Sequence, residues 1–242
     1  FQKCVKEIME DIYNRGKIPI LVGGTGFYIQ AVLNDIAFTK EKQGDEIRAD
    51  LQNLAKEKGA SYLHHELQKV DKESAEAIHP NNIKRVIRAL EYFQSTGQKF
   101  SDHNKEERQK GSPYNFLYLV LTMNRKVLYE RIDKRVDQMM EEGLVKEVKQ
   151  LLDAGYSRNL VSMQGLGYKE IASALFKECT MEEAVYRLKR DTRHFAKRQM
   201  TWFRRERDVT MINKDNFSNN HEIVNYIMKL AVEKGICSCR EG

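Results

Sequence analysis

The chain has 242 residues, 41% of them hydrophobic and 31% charged, with only three prolines. That is enough apolar material for a sizeable core in one or two domains, which excludes collagen-like and wholly disordered chains. Lys and Arg number 41 against 35 Asp and Glu, a net +6 that permits a nucleic-acid partner without requiring one.

The longest apolar stretch, residues 116–123, is far short of the roughly 20 residues a membrane helix needs. No signal peptide opens the chain. A soluble, cytoplasmic protein with no membrane partner is expected, with monomer as the default. The four cysteines (Cys4, Cys179, Cys237, Cys239) are too few and too badly spaced for a disulfide framework or a zinc site, and read as reduced thiols. No His, Cys or acidic set has metal-ligand spacing, so no metal site is assigned.

In chain order, Val5, Ile8, Met9 and Ile12 follow helical spacing, closed at Gly16. Residues 18–22 (Ile-Pro-Ile-Leu-Val) read as a short buried strand. The glycine turn Gly23-Gly24-Thr25-Gly26 follows, then a helix over 27–33. Helix, strand, glycine turn and helix suggest an α/β layer whose earlier strands precede Phe1, so the chain reads as a fragment. Residues 39–114 show no buried strand. Helices are expected around Ile47–Ala55, Tyr62–Val70 and Asp71–Ile78, the last stopped by His79-Pro80. Asn81 or Asn82 can cap the next helix, where Ile83, Val86, Ile87 and Leu90 recur at i, i+3, i+4, i+7. Residues 101–111 are charged and apolar-poor, and read as a mobile loop. This segment is an all-helical insertion.

Residues 116–122 form the strongest strand signal, read as buried on both faces. Helices are expected over 126–140, 144–154, 169–176 and 181–207, then a weak strand near 209–212 and a helix around 223–232. The fold class is therefore α/β: a core of 1–38 with 115–242, interrupted by a helical domain at 39–114.

Charge is concentrated rather than spread. Residues 184–207 carry nine Lys or Arg against two acids. On a helical wheel Leu188, Phe195, Ala196, Trp202 and Phe203 take one side. Arg187, Arg190, Arg193, Lys197, Arg198, Arg204 and Arg205 gather on the other, a face able to neutralise phosphates or simply to sit in water. Lys84, Arg85 and Arg88 crowd the start of another helix, where the dipole is already positive. An anion there would relieve them, as would carboxylates elsewhere in the fold. The glycine turn could let backbone amides approach an anion, yet no G-x-x-x-x-G-K-[ST] pattern occurs, so no complete phosphate cradle is present. Arg135 alternates with acids along its helix, and 164–169 could be an ordinary turn.

Four strings occur in order: IPILVGGTGFYIQ at 18–30, IHPNNIKRVIRALE at 78–91, GLGYKE at 165–170 and AKRQMTWF at 196–203. Together they resemble the bacterial tRNA dimethylallyltransferase (tRNA isopentenyltransferase) family. The resemblance implies a P-loop NTPase-like parallel-sheet core, its N-terminal strands missing here, with a helical tRNA-binding insertion and a channel through the core. It implies transfer of a dimethylallyl group from dimethylallyl diphosphate to N6 of the adenosine 3′ to the anticodon, in tRNAs reading codons that begin with U. The implied partners are the tRNA anticodon stem-loop and dimethylallyl diphosphate; the implied cofactor is Mg2+, held with the donor diphosphate.

Matched residue by residue, Thr25 would lie in the channel near donor and target base, and Arg135 would neutralise the leaving diphosphate. Arg48 would contact tRNA, as would the stretch Lys84, Arg85, Val86, Ile87 and Arg88. Gln164, Gly165, Leu166, Gly167, Tyr168 and Lys169 would form a further RNA contact. The family's P-loop and its aspartate base belong to an N-terminal segment this chain lacks, so the chain alone is expected to transfer negligibly. Three alternatives stand beside this reading: an adenylate isopentenyltransferase acting on a free nucleotide, a catalytically incomplete RNA-binding module, and a P-loop small-molecule kinase.

Overall fold

The computed structural model describes residues 1–36 and 44–238. The expected junction at 38/39 and Cys239 lie outside the described residues. Two compact units emerge, 1–17 with 27–114 and 18–26 with 115–242.

The first unit is helical: α1 (Gln2–Asn14), most of α2 (Gly26–Leu33), α3 (Gly44–Lys58), α4 (Ala60–Val70), α5 (Lys72–Ala77), α6 (Ile83–Thr96) and α7 (Phe100–Gln109). The apolar spacing of α6 does what it implies. Val86, Ile87 and Leu90 are buried against Leu63 and Leu67 of α4 and Leu51 of α3. Asn82 occupies the N-cap position of α6, but its side chain makes no capping bond. Gly97, left-handed at φ 72°, closes the helix.

The expected loop at 101–111 is instead largely α7. Its order comes from tertiary bonds that local composition does not display. Asp71, 1% exposed, accepts hydrogen bonds from the Ser74 N–H (3.0 Å), the Ser74 hydroxyl (2.6 Å) and the Ser101 N–H (2.8 Å). Lys105 pairs with Glu73, and the Tyr92 ring meets both Phe100 and His103.

The second unit holds β1 (Tyr118–Thr122), α8 (Arg125–Glu141), α9 (Leu144–Asp153), α10 (Tyr168–Leu175), α11 (Met181–Phe203), β2 (Val209–Asn213) and α12 (Asn220–Glu233). β1 and β2 pair in parallel, Tyr118 opposite Val209 through Thr122 opposite Asn213. Val136, Val148, Ile171, Ala184 and Leu188 form the core between α8, α9, α10 and α11.

Two strand expectations fail here. Residues 18–22 pair with no strand among the described residues, and Ile20 and Val22 are 83% and 87% exposed. An apolar run becomes a buried strand only beside hydrogen-bonding neighbours, and among the described residues β1 and β2 pair only with each other. β1 begins two residues later than expected and alternates: Tyr118 and Val120 are buried while Leu121 faces out at 53%. The result is a mostly helical α/β chain with a small parallel sheet. No described helix is long and apolar enough to cross a membrane.

Candidate functional site

The glycine turn is met by the protein's own helix. Gln199 of α11 donates from Nε2 to the Gly24 carbonyl at 2.8 Å. A Cβ on Gly24 would lie 2.6 Å from that same nitrogen, and one on Gly26 would lie 2.1 and 2.2 Å from Cδ1 and Nε1 of Trp202. These two glycines therefore answer a close backbone approach, while nothing crowds Gly23. Thr25, between them, is exposed. Sequence reasoning assigned Gln199 and Trp202 no part in this turn. Their i, i+3 spacing, which puts them on one face of α11, was the available clue.

The basic stripe of α11 divides into two halves. In the first, Arg187 pairs with Glu183, Lys189 with Asp137, Arg190 with Asp191 and Arg193 with Asp133. The Arg190 guanidinium, hydrogen-bonded to it, holds the Asp191 carboxyl below the usual carboxylate range. In the second half Lys197, Arg198, Arg204 and Arg205 are exposed and form no ion pair among the described residues. Arg198 lies 5.8 Å from the Phe195 ring centroid. Phe195, expected on the packed side, is 41% exposed, whereas Leu188 and Phe203 are buried.

At the start of α6, the cations find an anion within the fold. Glu91, 1% exposed, takes a bidentate pair from Arg48 of α3, with Nη2 at 2.7 Å from Oε1 and Nε at 3.2 Å from Oε2. Arg88 stands 3.6 Å from the same carboxylate. Val86 and Ile87, proposed with them as RNA contacts, are core side chains at 0% and 5% exposure. Of this stretch, Lys84, Arg85 and Arg88 present their side chains outside the core; Lys84 and Arg85 are exposed without ion pairs among the described residues.

The segment 164–169 is a structured turn. Gly167, at φ 100°, donates its N–H to the buried Glu170 at 2.9 Å and starts α10. Tyr168 hydrogen-bonds the Glu147 carboxylate, which pushes its phenol pKa up, and Gln164 donates to the Arg158 carbonyl at 2.6 Å. Gln164 and Lys169 line a cleft of about 530 Å3 together with Arg158, Arg187 and Arg190. Two separately chosen sequence features, the turn and the stripe, thus meet in one groove. Gly165 and Leu166 lie in the same turn, exposed and half-buried.

Arg135 sits on α8 with 60% of its side chain exposed, 3.6 Å from Glu142. Such an exposed pair is worth little, so the guanidinium can be redirected to a stronger anion at small cost. A second cleft, about 600 Å3, opens at the start of α8 around Arg125, Lys126, Tyr129 and Arg193. Neither cleft is lined by Thr25 or Arg135. Among the described residues no group of three or more His, Cys, Asp or Glu could hold a metal ion.

A glycine turn gripped by a cationic helix is compatible with many phosphate chemistries. A family model described as IPP transferase matches residues 1–206. The chain belongs to the IPP transferase family. The tRNA dimethylallyltransferase of Lachnoclostridium phytofermentans is 55% identical over 236 residues, 98% of this chain and 75% of that protein. That of Carboxydothermus hydrogenoformans is 44% identical, covering 98% of this chain and 74% of its own length. Among solved structures, the full-length tRNA isopentenylpyrophosphate transferase of Bacillus halodurans superposes with a TM-score of 0.65 at 41% identity, over 97% of this chain and 73% of that one. A eukaryotic dimethylallyltransferase acting on tRNA gives 0.74 at 27% identity, over 95% and 61%.

Proposed function

We propose that this chain is a tRNA dimethylallyltransferase, moving the dimethylallyl group of dimethylallyl diphosphate to N6 of the adenosine 3′ to the anticodon. The substrate tRNAs are those reading codons that begin with U. The observation that carries this reading is the second half of the α11 stripe. Lys197, Arg198, Arg204 and Arg205 form no ion pair with a carboxylate among the described residues, and they flank the very residues, Gln199 and Trp202, that grip the turn of Thr25. A polyanion bound there neutralises charges the fold leaves open.

In the reaction the C1–O bond to diphosphate breaks, the N6–C1 bond forms, and the N6 proton passes to the aspartate base that the family resemblance implies, diphosphate leaving as the anion. Adenine N6 is a weak nucleophile, so rate comes from alignment and from stabilising the leaving group. Thr25 lies beside donor and target base. Arg135 exchanges Glu142 for the departing diphosphate. Arg48, Lys84, Arg85 and Arg88 hold the anticodon arm, as do Gln164 and Lys169 in their groove. Extruding the base costs a few kcal/mol, which these contacts must repay. The P-loop-like core, a larger parallel sheet around β1 and β2, and Mg2+ with the donor belong to the same reading, but no step above runs through the metal.

The test is an assay of the complete gene product with dimethylallyl diphosphate and unmodified tRNA, read by mass spectrometry of digested nucleosides. The expected result is one dimethylallyl group on one adenosine beside the anticodon. Arg135→Ala should slow transfer with tRNA affinity retained. Modification of free AMP but not tRNA would overturn the reading in favour of the adenylate enzyme; binding without any transfer would leave an RNA-binding module.

A further inference from the structure

Thr25 reaches a fixed place only if the turn carrying it is itself fixed. The segment leading in, residues 18–22, has no strand partner among the described residues and is largely exposed. Among the described residues no sheet ladder holds the turn from that side. Contact with α11 does so in two ways. Gln199 supplies a directional bond to the Gly24 carbonyl, and the Trp202 ring packs so tightly on Gly26 that no side chain fits between. The indole N–H is buried there without an acceptor, so shape rather than hydrogen bonding keeps that second contact.

Taking Thr25 to lie beside donor and base, as proposed above, we infer that Gln199 and Trp202 are positioning residues for the transfer. Together they set where the Thr25 hydroxyl stands. They also differ in stiffness. A Cβ at Gly24 meets the far end of a flexible amide, which can swing aside. A Cβ at Gly26 meets a rigid ring at 2.1 Å, beside the buried Phe203, so the turn itself must move. Displacement of a reacting group by about 1 Å costs on the order of 10²-fold in rate. Gly26→Ala should therefore slow the chemical step far more than Gly24→Ala.

The experiment measures kcat and tRNA KM in the complete protein for Thr25→Ala, Gly24→Ala, Gly26→Ala, Trp202→Leu, the Gly26→Ala/Trp202→Leu double variant and Gln199→Met. Thermal melting is run alongside to report folding. Gln199→Met keeps length, removes only the donor and serves if the tryptophan variants unfold. Expected results are kcat down about 10²-fold for Gly26→Ala and about tenfold for Gln199→Met, the loss of one hydrogen bond, with tRNA KM within about twofold in both. The double variant should be no slower than its slower parent, because both act on one contact. Additive losses in the double variant, or a raised KM with kcat intact, would overturn the positioning role. If Thr25→Ala is itself silent, the placing of Thr25 falls and the clamp with it. If Thr25→Ala is slow while Gly26→Ala and Gln199→Met are not, the clamp alone falls.

Discussion

Two clusters of cations, one around Glu91 and one at the end of α11, look alike as strings and differ in what the fold gives them. Arg48 and Arg88 converge on a carboxylate that is 1% exposed. Lys197, Arg198, Arg204 and Arg205 form no ion pair among the described residues, Arg198 meeting only the Phe195 ring. The first arrangement ties α3 to α6, so its arginines are structural members before they meet any ligand. The second offers no such return beyond a favourable sign at a helix C-terminus. A basic run alone thus says little; its partners decide whether it holds the fold or awaits an anion.

The widest separation between the two clusters should appear in stability. Glu91→Ala removes the charge-assisted contacts that Arg48 and Arg88 make with this carboxylate. The expected loss is about 2 kcal/mol, within the range for hydrogen bonds to charged groups and below that for breaking a fully buried pair. Urea unfolding followed by helical circular dichroism checks it. A change under about 0.5 kcal/mol would mean the carboxylate does not organise α3 and α6, and the contrast between the clusters would collapse.

A second buried carboxylate sharpens the same point through pH. Burial pushes the Asp71 pKa up, but hydrogen bonds from Ser74 and Ser101 outweigh it and hold the group below its ordinary 3.8. A depressed folded pKa contributes stability that is present above the unfolded value and lost as pH falls through the folded one. Asp71→Asn should therefore lower stability at neutral pH and flatten the acid limb below about pH 4. Parallel acid limbs in the two proteins would show that Asp71 is not what fastens α5 to α7.

Much of this was legible in the sequence because it is local. Ile83, Val86, Ile87 and Leu90 announce α6, and Gly97 announces its end, through spacing and φ alone. What stayed hidden depends on partners distant along the chain. The Arg48–Glu91 bond spans 43 residues and the Gln199–Gly24 bond 175. α7 has almost no apolar periodicity, and Ser101 is ordered by Asp71, 30 residues earlier. Residues 18–22 failed for the opposite reason: their composition suits a buried strand, yet no described strand lies beside them. The four family strings pointed to a candidate site. They could not say that the first and the last of them touch.

The smallest stability effect belongs to the open cations, and there the comparison turns from folding to binding. Replacing Lys197, Arg198, Arg204 and Arg205 together with Ala should change unfolding free energy by no more than about 0.5 kcal/mol per site, as at other surface positions free of special contacts. tRNA affinity should nonetheless fall at least about tenfold, and its salt slope should lose about one per phosphate contact removed. Arg187, Arg190 and Arg193, already engaged by Glu183, Asp191 and Asp133, form the matched set on the same helix. Their triple Ala variant should shift the slope less per residue, because each must first give up a carboxylate. Titration of both variants at two salt concentrations separates the halves. Equal slopes would mean that pairing within the fold does not determine which cations meet the phosphate backbone, and net charge along α11 would be the better account.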